Sequence, residues 1–231
     1  KNLKEIMELV RNNELDIGLA FDGDGDRLGV VSSKGRIVWG DQLLAFLSKD
    51  VLINMPNSSI IADVKASQNL FNEIEKYGGV PIMWKTGHSF IKSKMKEISS
   101  PLAGEMSGHI FFADRYLGYD DGIYAALRVL ELIEDRYTLD NFLDSLPKTF
   151  STQEIKIECS DDKKFNIIKE LASTLDSENI KVNKVDGLRV QKDDGWWLLR
   201  ASNTQAVLVA RLEAKSKSSL NNLQKELNLY L

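Results

Sequence analysis

Apolar residues recur at Leu3, Ile6, Met7 and Val10, a helical spacing, and the polar pair Asn12-Asn13 closes that segment. The run LDIGLAF that follows predicts a buried strand leading straight into a polar loop. LGVVSSKGRIVWG predicts a hairpin with Lys34-Gly35 at its turn. Beyond it the pattern alternates: a helix near 41–54, a strand in SSIIADV, a helix near 67–77, a strand in VPIMW and a helix near 88–98. A short strand near 101–104, another at HIFFA and a long helix near 121–135 continue the series. Strands alternating with helices predict α/β layers.

The character changes past SLPKTF, a plausible boundary. STQEIKIEC predicts one strand and 163–175 a helix, followed by strands near 187–191, 195–200 and 206–213 and a polar closing helix. Grouped strands capped by helices predict a smaller α+β domain after the mixed-sheet α/β domain.

Composition narrows the class. A chain of 231 residues with 43% hydrophobic content has room for a real core. Its net charge of -4 carries no electrostatic footprint for nucleic acid or an anionic membrane, and no apolar run approaches a bilayer span. The single cysteine, Cys159, excludes an internal disulfide, reads as a small buried hydrophobe and fits a reducing, cytoplasmic setting. The chain opens on a charged stretch without an initiator Met, which is expected of the tail of something longer.

Chemistry concentrates in a few loops. FDGDGDRLG places Asp22, Asp24 and Asp26 at alternate positions at the end of a strand, hard oxygen donors suited to Mg²⁺. An EF-hand needs Gly at the sixth position and Glu at the twelfth, where Arg27 and Ser33 stand. A solvated acidic turn is the plain alternative. Arg27 is placed to hold a phosphate beside the metal. GEMSGH offers Glu105 and Ser107 for sugar hydroxyls and His109 as a proton carrier or phosphate donor, or else an ordinary turn with a core histidine. His88 in KTGHSF and Lys65 in DVKAS each follow a strand and begin a helix, where open α/β sheets bind ligands. RASNTQA offers Arg200, Ser202, Asn203 and Thr204, with turn amides, as an oxyanion cradle; a hairpin loop explains the same composition. Asp120 and Asp121 read as a helix N-cap pair, and Trp196 and Trp197 as strand packing.

These segments together resemble the α-D-phosphohexomutase superfamily, in particular its bacterial phosphomannomutase/phosphoglucomutase branch. DGDGDR is similar to the family's metal loop, GEMSGH to its sugar-recognition loop and RASNTQA to its C-terminal phosphate loop, with DVKAS and KTGHS matching two further segments in order. The resemblance implies Asp22, Asp24 and Asp26 as Mg²⁺ ligands, Arg27 and Lys65 near the reacting phosphoryl group, and His88 beside the substrate. It further implies Glu105 and Ser107 on sugar hydroxyls, His109 as general acid/base, and Arg200, Ser202, Asn203 and Thr204 on the non-reacting phosphate. It assigns 1–36 to the end of the family's second domain, 37–148 to the third and 149–231 to the fourth. The implied reaction interconverts hexose 1-phosphate and hexose 6-phosphate, of mannose and/or glucose, through a phosphoserine enzyme and a hexose 1,6-bisphosphate.

Two features depart from the family. The phosphoserine loop of the first domain has no counterpart here, so the chain is expected to be a C-terminal fragment, inactive alone and partnered by the missing N-terminal domains. Ala206 stands where the family's phosphate loop commonly has proline. Two rival readings are a sugar-phosphate binding module without turnover and an aspartate-nucleophile phosphohydrolase using Asp22 and Asp24. The 1–36 segment is expected either to dock on the following domain or to pair with another chain through its strand edge.

Overall fold

A computed structural model describes residues 2–231, which fall into two compact units, 2–147 and 148–231. The first begins with α1 (Lys4–Asn12), β1 (Ile17–Phe21), β2 (Leu28–Ser32) and β3 (Ile37–Val38). There follow α2 (Gly40–Asn54), β4 (Ser59–Asp63), α3 (Gln68–Lys76), β5 (Val80–Trp84) and α4 (His88–Ile98). It ends with β6 (Leu102–Gly104), β7 (Ile110–Phe112), α5 (Gly122–Glu131) and α6 (Thr138–Ser145).

β1, β2 and β3 form an antiparallel sheet, while β4 to β7 form a mixed one in the order β5-β4-β6-β7. In the latter, β4 runs parallel to both β5 and β6, and β7 returns antiparallel to β6. Alternation along these strands sends neighbouring residues to opposite faces. Ile60, Ala62, Leu102 and Phe112 join the cluster that contains Leu43, Leu44 and Leu47 of α2, whereas Ile61, Ala103 and Phe111 meet Ile91 and Met95 of α4. Helices therefore cover both faces of the sheet, and the middle of its inner strand β4, Ile60, Ile61 and Ala62, is apolar at every position because it is buried on both sides.

Leu28, Val30 and Val38 of the N-terminal sheet belong to the same apolar cluster as α2 and as Ala125 and Val129 of α5. The first of the two expected arrangements holds: this hairpin sheet is docked within its own chain.

The second unit comprises β8 (Phe150–Ser151), β9 (Ile155–Glu158), α7 (Asp161–Ser177), β10 (Val182–Asn183), β11 (Leu188–Lys192), β12 (Gly195–Ala201), β13 (Val207–Ala214) and α8 (Lys217–Asn228). Its strands form one antiparallel sheet, with β8 and β9 both paired to β13. Trp197, Leu199, Leu208, Ala210 and Leu212 pack with Leu171 and Leu175 of α7 and Leu223 and Leu227 of α8.

Some element expectations change. The helix placed at 121–135 stops at Glu131, and a second helix, α6, follows a turn in which the Thr138 hydroxyl accepts the backbone N–H groups of Glu134 and Asp135. The single strand expected in STQEIKIEC divides into β8 and β9, because Thr152 steps out of register and bonds Leu212 through both its backbone and its hydroxyl. Cys159 is half-buried at the rim of the second core instead of inside it. Among the described residues no helix is long and apolar enough to cross a membrane.

Candidate functional site

In the first unit the chemistry gathers beyond the carboxyl ends of β1, β4, β5 and β6. The aspartate loop closes as a tight turn in which the Asp22 carbonyl accepts the Gly25 N–H at 3.3 Å, with Gly25 at φ +75°. Its tail is pinned by α5: the Gly122 N–H donates to the Gly25 carbonyl at 2.9 Å. A Cβ at position 122 would stand 2.8 Å from the carbonyl oxygens of Gly25 and Arg27, which is why this helix begins with glycine.

Asp22, Asp24 and Asp26 bring one carboxylate oxygen each to within 4.8 Å of one another. Asp26 Oδ1 is buried and accepts no hydrogen bond, and three hard oxygens at this spacing suit one small divalent cation. Arg27 folds back on the loop, its backbone N–H 3.2 Å from Asp22 Oδ1 and its Nε 3.2 Å from Asp22 Oδ2. Partial desolvation opposes ionisation of Asp22, but these Arg27 contacts and a hydrogen bond with Asp26 hold its carboxyl below the ordinary range. Asp24→Asn is expected to relieve repulsion in the metal-free protein and to abolish the response to Mg²⁺. Wild type should gain about 3 °C in melting temperature at roughly ten times the dissociation constant. Calorimetric melting with and without Mg²⁺ checks both effects.

His109 faces this loop through a bridge between its backbone and that of Arg27. Its Nδ1 lies 2.8 Å from Glu105 Oε2, and its Nε2 accepts from Arg27 Nε at 3.2 Å, so the network assigns the proton of the neutral ring to Nδ1. Nε2 also lies 3.3 Å from Asp26 Oδ1, the oxygen that a protonated ring would reach. Burial works against the imidazolium, yet the Glu105 hydrogen bond and the charges of Glu105, Asp26 and Asp120 outweigh it and raise the His109 pKa above its usual 6.5. Glu105 is almost fully buried. Its burial favours the neutral acid, but the His109 bond, the Gly87 N–H at 2.6 Å and the Lys65 charge keep its pKa low.

Ser107 Oγ stands 3.3 Å from His109 Nδ1. Lys65 follows β4, its Nζ 3.8 Å from Asp63 Oδ2. His88, half exposed at the start of α4, stacks on His109 with ring centres 5.6 Å apart and planes at 27°. Asp121 alone caps α5, accepting the Tyr124 N–H. Asp120, expected as its capping partner, instead takes Lys92 Nζ at 2.8 Å and faces His88 Nδ1 at 3.2 Å. Asp120 and Lys92 were missed as site residues. Lys92 lies one helical turn after His88, the signal that was available.

The second unit holds its own polar cluster on the turn between β12 and β13. Ser202 N–H donates to the Val207 carbonyl at 3.0 Å, and Ser202 Oγ accepts the N–H groups of Thr204 and Gln205. Two amides expected to line an oxyanion cradle are thus engaged by the serine, while the side chains of Asn203 and Thr204 are exposed. Arg200 is gripped by both carboxylate oxygens of Asp186 at 3.0 and 3.2 Å. Lys164 Nζ donates to the Gln205 carbonyl at 3.0 Å, and Lys156 Nζ to its side chain at 2.9 Å. Asp186, Lys164 and Lys156 carried no motif in the sequence.

Family models match the chain in three consecutive stretches. Residues 1–35 match the phosphoglucomutase/phosphomannomutase alpha/beta/alpha domain II, 39–150 domain III and 154–229 the C-terminal domain. The class is thus an α/β protein built from successive phosphohexomutase-type domains. The chain belongs to the phosphoglucomutase/phosphomannomutase family of the α-D-phosphohexomutase superfamily. It is 46% identical over 225 residues to a phosphomannomutase/phosphoglucomutase of Pseudomonas aeruginosa, covering 97% of this chain and 49% of that protein. A phosphoglucomutase of Neisseria gonorrhoeae is 43% identical, with 97% and 49% covered. A crystal structure of a phosphoglucomutase/phosphomannomutase family protein from Burkholderia thailandensis superposes with a TM-score of 0.91 at 40% identity, over 100% of this chain and 49% of that one. The chain spans about half the length of these relatives.

Proposed function

We propose that this chain supplies the metal-binding, sugar-recognising and phosphate-holding parts of a phosphohexomutase that interconverts hexose 1-phosphates and 6-phosphates of mannose and/or glucose. The observation that carries the reading is the meeting of the aspartate loop, Arg27 and the Glu105–His109 pair at one strand edge. The phosphoryl donor, a phosphoserine, comes from outside these residues, so the chain alone is expected not to turn over. Domain limits near 36/37 and 148/149 follow the family's division, and the single cysteine supports work in a reducing cytoplasm.

Asp22, Asp24 and Asp26 would hold Mg²⁺, which when bound neutralises charge on the transferring phosphoryl group. Neutral His109 offers Nε2 to the attacking sugar hydroxyl once Arg27 Nε gives up its contact with that nitrogen for the phosphoryl group. As the new sugar O–P bond forms and the serine O–P bond of the donor breaks, the hydroxyl proton passes to that nitrogen and Asp26 and Glu105 stabilise the imidazolium. The serine oxygen takes its own proton from outside these residues; when the other phosphate of the hexose 1,6-bisphosphate passes back to the serine, the sugar oxygen it leaves takes the proton from His109. Lys65 and Arg27 add positive charge on the phosphoryl side. Ser107 and His88 orient the sugar, and Glu105 joins them while also fixing His109. Asn203, Thr204, Ser202 and Arg200 receive the other phosphate, with Arg200 exchanging part of its bond to Asp186 for the ligand.

Calorimetric titration of the chain with mannose 1-phosphate, glucose 1-phosphate and unphosphorylated mannose tests the reading. Saturable binding that requires the phosphate, and that weakens at least about tenfold in Arg200→Ala, is the expected result. No binding of either sugar phosphate, or equal binding by the variant, counts against it.

A further inference from the structure

Asp120 has no part in the scheme above, yet it is among the most enclosed charged groups of the first unit, with a side chain only 6% exposed. Oδ1 is satisfied by Lys92 at 2.8 Å. Oδ2 is buried and accepts no well-formed hydrogen bond, although His88 Nδ1 stands 3.2 Å away and His109 Nε2 3.9 Å away. A buried carboxylate oxygen needs a donor. His109 is already held by Glu105 through Nδ1 and by Arg27 at Nε2, so the nearest hydrogen available to Oδ2 is one on His88 Nδ1. Lys92 Nζ also approaches His88 Nδ1, at 3.3 Å, but a lysine hydrogen accepted there would leave the buried Oδ2 facing a bare nitrogen at 3.2 Å, whereas a proton on Nδ1 satisfies it and leaves Lys92 its bond to Oδ1. The stacked imidazoles are thus bracketed by two carboxylates, Glu105 on His109 and Asp120 on His88.

We infer that Asp120 is a positioning residue for His88: it takes the Nδ1 proton, fixes the ring against His109, and leaves Nε2 of this half-exposed ring as a bare acceptor for a substrate hydroxyl. The ligand in this statement rests on the sugar-phosphate reading; the role of Asp120 does not.

The ¹⁵N-labelled chain tests it directly, because the sequence has two histidines and a long-range ¹H–¹⁵N spectrum therefore contains two ring systems. At about pH 8.5, above the ordinary imidazole pKa, wild-type His88 is expected to carry its proton on Nδ1, as His109 does. Asp120→Asn keeps an oxygen for Lys92 but removes the carboxylate; His88 is expected to switch to the Nε2–H form while His109 keeps its pattern. Lys92→Met, which leaves Asp120 in place, is expected to preserve Nδ1–H on His88. Affinity for mannose 1-phosphate is expected to fall about tenfold in Asp120→Asn. A wild-type His88 protonated on Nε2 alone or on both nitrogens overturns the inference, as does an Asp120→Asn spectrum unchanged at His88. If the wild-type chain binds no sugar phosphate, the functional reading fails, and the tautomers still decide the role of Asp120.

Discussion

Asp140→Ala is expected to destabilise the first unit by about 3 kcal/mol, the cost typical of stripping a buried acceptor from several donors. Asp140 is fully buried on α6 and accepts from Ser32 Oγ and Ser33 Oγ at 2.8 Å each, from the Lys34 N–H at 3.1 Å and from Arg36 Nε at 2.7 Å. Arg36 also reaches the Asp140 carbonyl and Asp144, so the alanine variant leaves the guanidinium a partner but strands the two hydroxyls and the Lys34 amide.

The pH dependence follows. Burial would raise the Asp140 pKa, but the two serines, Arg36 and the Lys34 amide hold it below the ordinary carboxylate range. A depressed folded pKa means the stabilisation is complete above the unfolded value of about 3.9 and is lost as pH falls through the folded one. Urea unfolding of wild type and variant is therefore expected to differ by a constant amount between about pH 5 and pH 8, with the gap closing below about pH 4. A gap that persists undiminished into strong acid contradicts the assignment of the stability to this carboxylate.

That network shows what the sequence reveals and what it hides. The turn at Lys34-Gly35 was legible because glycine supplies the positive φ, here +70°, between two apolar runs. The partner that locks the turn lies more than a hundred residues later, on a short helix whose Leu139, Phe142 and Leu143 show a helical spacing, but no local pattern joins it to the turn. The same division holds in the site. Asp22, Glu105, His109 and His88 were readable because each sits in a Gly-flanked loop directly after a strand. Asp120 was not, since an Asp-Asp pair ahead of an apolar helix is first of all a cap, and Asp121 does serve as one. Nor was the grip of Asp186 on Arg200 visible. It depends on Gly187, at φ +79°, letting the chain approach β12 so closely that a Cβ there would stand 2.5 Å from the Cβ of Arg200.

Glu105→Ala and Glu105→Gln are expected to separate stability from proton placement. Alanine removes the acceptor of the Gly87 N–H and of His109 Nδ1–H inside a buried pocket, and roughly 3 kcal/mol of stability should go with it. Glutamine preserves the volume and one oxygen. With that oxygen held by Gly87, whose N–H has the shorter contact, the amide NH₂ faces His109 and requires Nδ1 to become an acceptor. The ring proton then moves to Nε2, where it opposes Arg27 Nε and removes the lone pair that the sugar hydroxyl needs. This is the logic by which an amide in place of the orienting carboxylate costs a serine-protease triad about 10⁴ in kcat while leaving its geometry intact. For this chain the readout is the His109 tautomer. Nδ1–H in wild type giving way to Nε2–H in Glu105→Gln, with the melting temperature changed by no more than about 3 °C, is expected for an orienting carboxylate. A glutamine variant that keeps Nδ1–H would mean that Glu105 serves the Gly87 turn and the sugar alone, and that His109 owes its orientation to Arg27 and Asp26.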